Sequence, residues 1–186
     1  MTLAEMKQDI AIRQKKGVHF ILASVFIWAA ILLVQLSSLP ILTKNLLTFV
    51  FSTPLLPIAF LISRVINIDF SSQDNPLSKL GLLFSLNQVL YILIAIWVYP
   101  TVPNKLVMIL AMIYGAHLLP YSWLYESKSY LIMSVFITPA ILIIGLIYNP
   151  VIIAITMLSF QIIFSILLFK EISTIENLET ISQPNI

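Results

Sequence analysis

Residues 129–169 contain no Asp, Glu, Lys or Arg. As one straight helix this run reaches about 60 Å, twice the ~30 Å of a bilayer's hydrocarbon core. Water does not tolerate such a run exposed, and a membrane does not accommodate it unbroken. It must fold back, and Asn149-Pro150 is the strong turn signal near its middle. The run therefore reads as two transmembrane helices, 129–148 and 151–169, joined by a tight hairpin within 147–152.

The same logic extends through the chain. Only 10% of residues are charged and mean hydropathy is +1.02, whereas soluble domains carry about a quarter of their residues charged. Val18–Leu36 is the first span. It is too long for a signal-peptide core of roughly 7–15 residues, and no small-x-small cleavage site follows it, so it reads as a signal anchor. Further spans are expected at 45–63, 80–98 and 106–123. The expected fold is all-α: a polytopic membrane protein whose residues 1–170 form a single six-transmembrane-helix bundle. Ahead of it, residues 1–16 should hold a short interfacial helix. Thr2 and Glu5 have capping-box spacing, Leu3, Met6 and Ile10 share a face, and Asp9 precedes Arg13 by four. Residues 171–186 read as a polar, solvated tail, and Ser71–Pro76 as a solvated loop.

Orientation follows from Lys and Arg. With the N-terminus inside, Lys7, Arg13, Lys15, Lys16, Arg64, Lys79, Lys128 and Lys170 are cytoplasmic, and only Lys44 and Lys105 are external. Both termini are therefore expected in the cytoplasm, with the chain in the plasma membrane. Trp97, Tyr99 and Tyr148 would mark the outer boundary, and Tyr121, Trp123, Tyr125 and Tyr130 the inner one.

Two windows of twelve residues, Phe51–Ile62 and Phe136–Ile147, agree at six positions and contain the chain's two Thr-Pro pairs, Thr53-Pro54 and Thr138-Pro139. Proline removes a helical donor, so the carbonyls of Val50 and Val135 lose their partners. Both kinks are expected to turn toward the bundle interior, with span two the more bent because Pro57 has no counterpart. The windows lie on helices of opposite direction, as in an inverted repeat of three spans against three.

Few polar groups enter the membrane, and no acid lies at mid-depth. With no Cys, no His-Glu-x-x-His and only two His, no catalytic group, metal or other cofactor is expected, and the chain does not read as an enzyme. Asn87 and Gln88 on span three, His117 on span four and Gln161 on span six remain, with Gln35, Asn45 and His19 nearer the ends. Two readings stand. These residues line a cytoplasm-facing polar cavity of a small permease-like or channel-like protein. Alternatively they form hydrogen bonds between helices, and the chain is a structural or accessory subunit for a larger membrane partner. Expected partners are the lipid bilayer and another membrane protein or further copies, not nucleic acid.

The stretches Met6–Lys16, Tyr99-Pro-Thr-Val-Pro103 and Gly115-Ala-His-Leu-Leu-Pro120 resemble a family of uncharacterised small multi-pass membrane proteins of Gram-positive bacteria. That resemblance implies a bacterial inner-membrane protein and no assigned activity. The topology itself is open to test. A reporter active only in the cytoplasm should work when fused after Lys170 and fail when inserted at Asn104; the reverse pattern at either site overturns the orientation.

Overall fold

The computed structural model describes the backbone of residues 1–68 and 74–182, with side chains through Ile175. Its described residues form an all-α bundle with six helices or helix pairs long and apolar enough to cross a membrane. α1 (Leu3–Arg13) leads through a 3-10 turn into α2 (Val18–Leu36), which is span one. Span two is split into α3 (Ile41–Ser52) and α4 (Leu55–Val65), and span three is α5 (Leu77–Thr101). Span four is α6 (Leu106–His117) with α7 (Leu119–Leu124), and span five is α8 (Lys128–Ile147). Span six lies within α9 (Pro150–Ser182). We call the end of the bundle that carries α1 and the C-terminal part of α9 proximal and the other end distal.

The hairpin between spans five and six turns where expected. α8 stops at Ile147, and Asn149 Oδ1 accepts from the backbone N–H groups of Val151 (3.1 Å) and Ile152 (3.2 Å), capping α9. Pro150 supplies the first helical residue, where its missing N–H costs nothing. At its other end α9 runs beyond the expected tail boundary at 171. No helix breaker stands between Lys170 and Ser182. The Ser71–Pro76 loop lies partly outside the described residues.

Span one packs on spans two and six, span four on spans three and five, and span five on span six, with a lesser contact between spans four and six. Exchanging the two halves of the chain maps the first four of these pairings onto one another. The fifth has only a thin counterpart, because spans two and three touch sparingly, between α3 and α5. Spans two and three are accordingly the most exposed of the six.

The two Thr-Pro sites correct the sequence reading. Val50, Pro57, Val135 and Pro139 all face outward, with Val50 54% and Val135 62% exposed. The reason is local. The Thr53 N–H is shared between the Phe49 carbonyl (3.2 Å) and the Val50 carbonyl (3.3 Å), so the freed group finds a donor three residues on. Thr53 Oγ1 also donates to the Phe49 carbonyl at 3.0 Å. At this first site no inward partner is needed, whereas at the second Thr138 Oγ1 lies 3.4 Å from both the Ser134 carbonyl and the Met112 carbonyl of span four. With both valines outward, the inverted repeat loses the support that inward kinks offered. The inequality of the two sites does appear: the helix stops at Thr53-Pro54 and runs on through Thr138-Pro139.

Both distal lysines bond to helix C-termini. Lys44 Nζ donates to the Gln35 carbonyl (2.9 Å) in the last turn of α2, and Lys105 Nζ to the Gly145 carbonyl (2.6 Å) in the last turn of α8. Each places a cation at the negative end of a helix dipole. Beside them Asn45 Nδ2 donates to the Pro103 carbonyl (2.8 Å), and Gln35 Nε2 to Thr48 Oγ1 (3.1 Å).

Spans four and five approach closely at two glycines. A Cβ on Gly115 would lie 2.7 Å from both Ile137 Cγ2 and Thr138 Oγ1, and one on Gly145 would collide with Met108. Forcing a methyl into such a seam costs about 1–3 kcal/mol. Gly115→Ala should therefore lower unfolding stability in detergent by that amount. Gly81→Ala, whose new methyl meets only Leu124 at 3.3 Å, should cost clearly less. Equal losses would mean that the seam does not depend on the missing side chain.

Candidate functional site

Spans one, four and six meet around a buried polar centre. Gln161, fully buried on α9, accepts through Oε1 from Ser24 Oγ (2.8 Å) on α2 and from Tyr114 Oη (2.7 Å) on α6. Tyr114 Oη also lies 3.1 Å from Ser24 Oγ, which is 2.7 Å from the Ile21 carbonyl. Trp28 closes one side, edge-on to Tyr114. Ser24 and Tyr114 own one hydroxyl proton each, so they cannot fill all four contacts at once. Meanwhile Gln161 Nε2 has no partner. A half-turn of the carboxamide exchanges its oxygen and nitrogen. Every contact then carries a proton, and one unpaired carbonyl replaces two unpaired N–H groups. In either state the amide keeps unused hydrogen-bonding capacity inside the membrane.

Of the residues singled out from sequence, Gln161 builds this centre and His117 adjoins it. His117 Nδ1 lies 2.7 Å from the Tyr114 carbonyl, and the ring stands edge-on to Tyr114 and Tyr121. Asn87 is elsewhere: it is exposed on α5 and donates to Tyr91 Oη at 3.0 Å. Gln88, about 100° further round the helix, is half-buried and bonds to no side chain at the centre. The four do not line one cavity. Ser24 and Tyr114 escaped the sequence reading because it weighed amides and imidazoles, and a single hydroxyl within an apolar run gives little signal.

A second polar cluster sits at the proximal end. Glu171 on α9 accepts from Lys16 Nζ (2.8 Å), Ser127 Oγ (2.7 Å), and both the backbone N–H and Oγ of Ser129 (2.7 Å each). Tyr130 Oη donates to the Lys16 carbonyl (3.0 Å), and Tyr125 Oη to Gln14 Oε1 (2.9 Å). The expected inner aromatic belt is thus corrected. Tyr121, Tyr125 and Tyr130 pack ring against ring, with Tyr121 stacked on Tyr125, since each hydroxyl finds a partner there, and of the four only Trp123 remains exposed.

α1 is fastened across this same end, packed on the bundle as well as amphipathic. Its capping box and Asp9–Arg13 ion pair form as expected. Asn75 Nδ2 donates to the Met6 carbonyl (2.7 Å) and to Asp9 Oδ2 (2.9 Å). Lys7 lies 3.8 Å over the Trp123 ring and 3.5 Å from Glu126. Between α1 and α2, Lys15 (φ 43°), Lys16 (φ 49°) and Gly17 (φ 68°) are all left-handed. Gly17 is required, because a Cβ there would press within 3.1 Å of Tyr125 Oη.

Two shallow hollows mark the proximal surface. One is lined by Ala11, Ile12, Ile172 and Ile175, the other by Trp123, Glu126, Ser127 and Lys128 among others. Neither reaches Gln161. Among the described residues no group of three or more His, Asp or Glu gathers as metal ligands do.

Residues 3–171, from the start of α1 to the Glu171 clamp, match the model of a family of unknown function, DUF7010. The chain belongs to that family. No curated protein and no solved structure matches this DUF7010 protein, so its chemistry rests on its own residues.

The Gln161 amide offers a test of the centre. Gln161→Met keeps the length of the side chain and removes the unpaired group, while Ser24 and Tyr114 retain each other and the Ile21 carbonyl. The two bonds lost at Oε1, about 0.5–1.5 kcal/mol each, are offset by removal of an unsatisfied group that costs about 1–3 kcal/mol, so stability should stay nearly level. A loss of more than ~2 kcal/mol would show that the amide holds a partner in the membrane.

Proposed function

We propose that this DUF7010 protein is a non-enzymatic assembly or accessory protein of a bacterial plasma membrane, with both termini in the cytoplasm. It engages other membrane-spanning chains through spans two and three. One observation carries the reading: α5 is the least covered of the six spans, and it presents the Asn87 carboxamide on its exposed face. Hydrocarbon offers nothing to bond an amide, whereas a neighbouring helix does. The polar residues that a transport path would require support the same reading, because Gln161 and His117 are bonded within the bundle. The asymmetry of Lys and Arg supports the orientation.

A permease-like reading draws on a different observation, the unused bonding capacity of buried Gln161. There the centre would face a solute once the proximal end opened.

A photo-crosslinking amino acid separates the two. Placed at Leu61 on α4 or Leu83 on α5, both exposed, it should give a discrete protein adduct of one mass in native membranes. At exposed Leu146 on span five it should give lipid adducts alone. Lipid adducts at all three positions would remove the assembly reading.

A further inference from the structure

We propose that the occupant of the α5 face is a second copy of this chain, docked with Asn87 against Asn87 of the partner copy. The proposal rests on the assembly reading and names its partner. Asn87 is the eleventh residue of the 25 in α5. At 1.5 Å per residue it lies about 15 Å from the helix start, near the middle of a ~30 Å hydrocarbon core. An asparagine side chain is too short to reach either interface from there. Within the chain its Nδ2 donates to Tyr91 Oη. That leaves the Oδ1 carbonyl and one amide hydrogen facing lipid, which can satisfy neither.

The surrounding face is built for a helix. Leu83, Leu90 and Ile94 fall within about 60° of Asn87 on the α5 surface, and all three are half or more exposed. No charged residue occurs between Lys79 and Lys105, so no charge on that face opposes close approach of two copies in the membrane core.

Two features single out a second copy from other partners. A carboxamide is its own complement: one donates N–H and accepts at C=O, so two related by a two-fold axis exchange a pair of hydrogen bonds. A two-fold axis along the membrane normal also keeps both copies in the same orientation. It places both Asn87 residues at identical depth without further requirement. A different partner would need an amide or equivalent group at that same depth.

The chain contains no cysteine, so single cysteines report contacts cleanly. Asn87→Cys in the full-length protein, treated with a short bismaleimide in native membranes, should give a species of twice the 21.0 kDa chain mass. Val89→Cys, exposed but about 160° away round the helix, should not. Asn87→Leu changes an exposed position, so the monomer should fold normally. Its dimer fraction by in-membrane energy transfer should fall, with the dissociation constant rising about tenfold for one to two kcal/mol of lost interhelical bonding. Equal crosslinking at 87 and 89, or undiminished dimerisation of Asn87→Leu, overturns the proposal. If Asn87→Cys crosslinks only to a different protein, the second-copy proposal falls and the assembly reading survives. If it crosslinks to no protein, both fall.

Discussion

The bundle depends on one carboxylate. Glu171 gathers four donors from three residues, and two of those donors belong to the first turn of α8. A helix N-terminus leaves its first N–H groups without intrahelical partners and carries partial positive charge. The anion from span six therefore completes the cap of span five, with Ser127 serving both: it donates to Glu171 and accepts from the Tyr130 N–H. The hairpin of spans five and six is thereby closed at its open end, opposite Asn149. Lys16 adds span one to the same knot. A partly buried ion pair contributes most when its remaining valences are met, and here the serines meet those of Glu171.

In a bilayer, apolar surface alone gives helices little reason to associate, because lipid tails are as apolar as leucine. What distinguishes one helix from another is therefore its close approaches and its polar ties. Spans one and six share the Ser24–Gln161 contact and the Lys16–Glu171 pair; spans four and five share the glycine seam. Span three has less. Tyr121 Oη donates to the Gly81 carbonyl (3.1 Å) and contacts Ser85 Oγ (2.6 Å), and Asn75 ties its approach to α1. The peripheral position of α5 follows from how few such ties its sequence offers.

The spans were legible in the sequence because their ends are written in charge, proline and asparagine. Val18–Leu36 and the Asn149-Pro150 turn sit where those residues require. Helix azimuth was not legible. α5 is apolar around most of its circumference, so nothing in its pattern says whether Asn87 or Gln88 faces the bundle, and the structure turns Gln88 partly inward. The tyrosines near the proximal end misled for a related reason. A phenol suits a membrane interface and a satisfied interior equally, and only the neighbours Gln14, Lys16, Gly81 and Ser85 decide between them. Thr-Pro misled differently, since at Thr53 the backbone N–H reaches the freed Val50 carbonyl itself, without help from the interior.

The left-handed run of Lys15, Lys16 and Gly17 has a consequence for how the leader and the bundle are related. A continuous helix transmits rotational phase: one residue added upstream turns everything on the far side by about 100°. Three successive left-handed residues cut that transmission. α1 takes its rotation from Asn75 and Trp123, while α2 takes its own from Glu171 through Lys16 and from Gln161 through Ser24. The seating of Ser24 on Gln161 is thus set within the bundle, and that of α1 by its own fastenings at the proximal end.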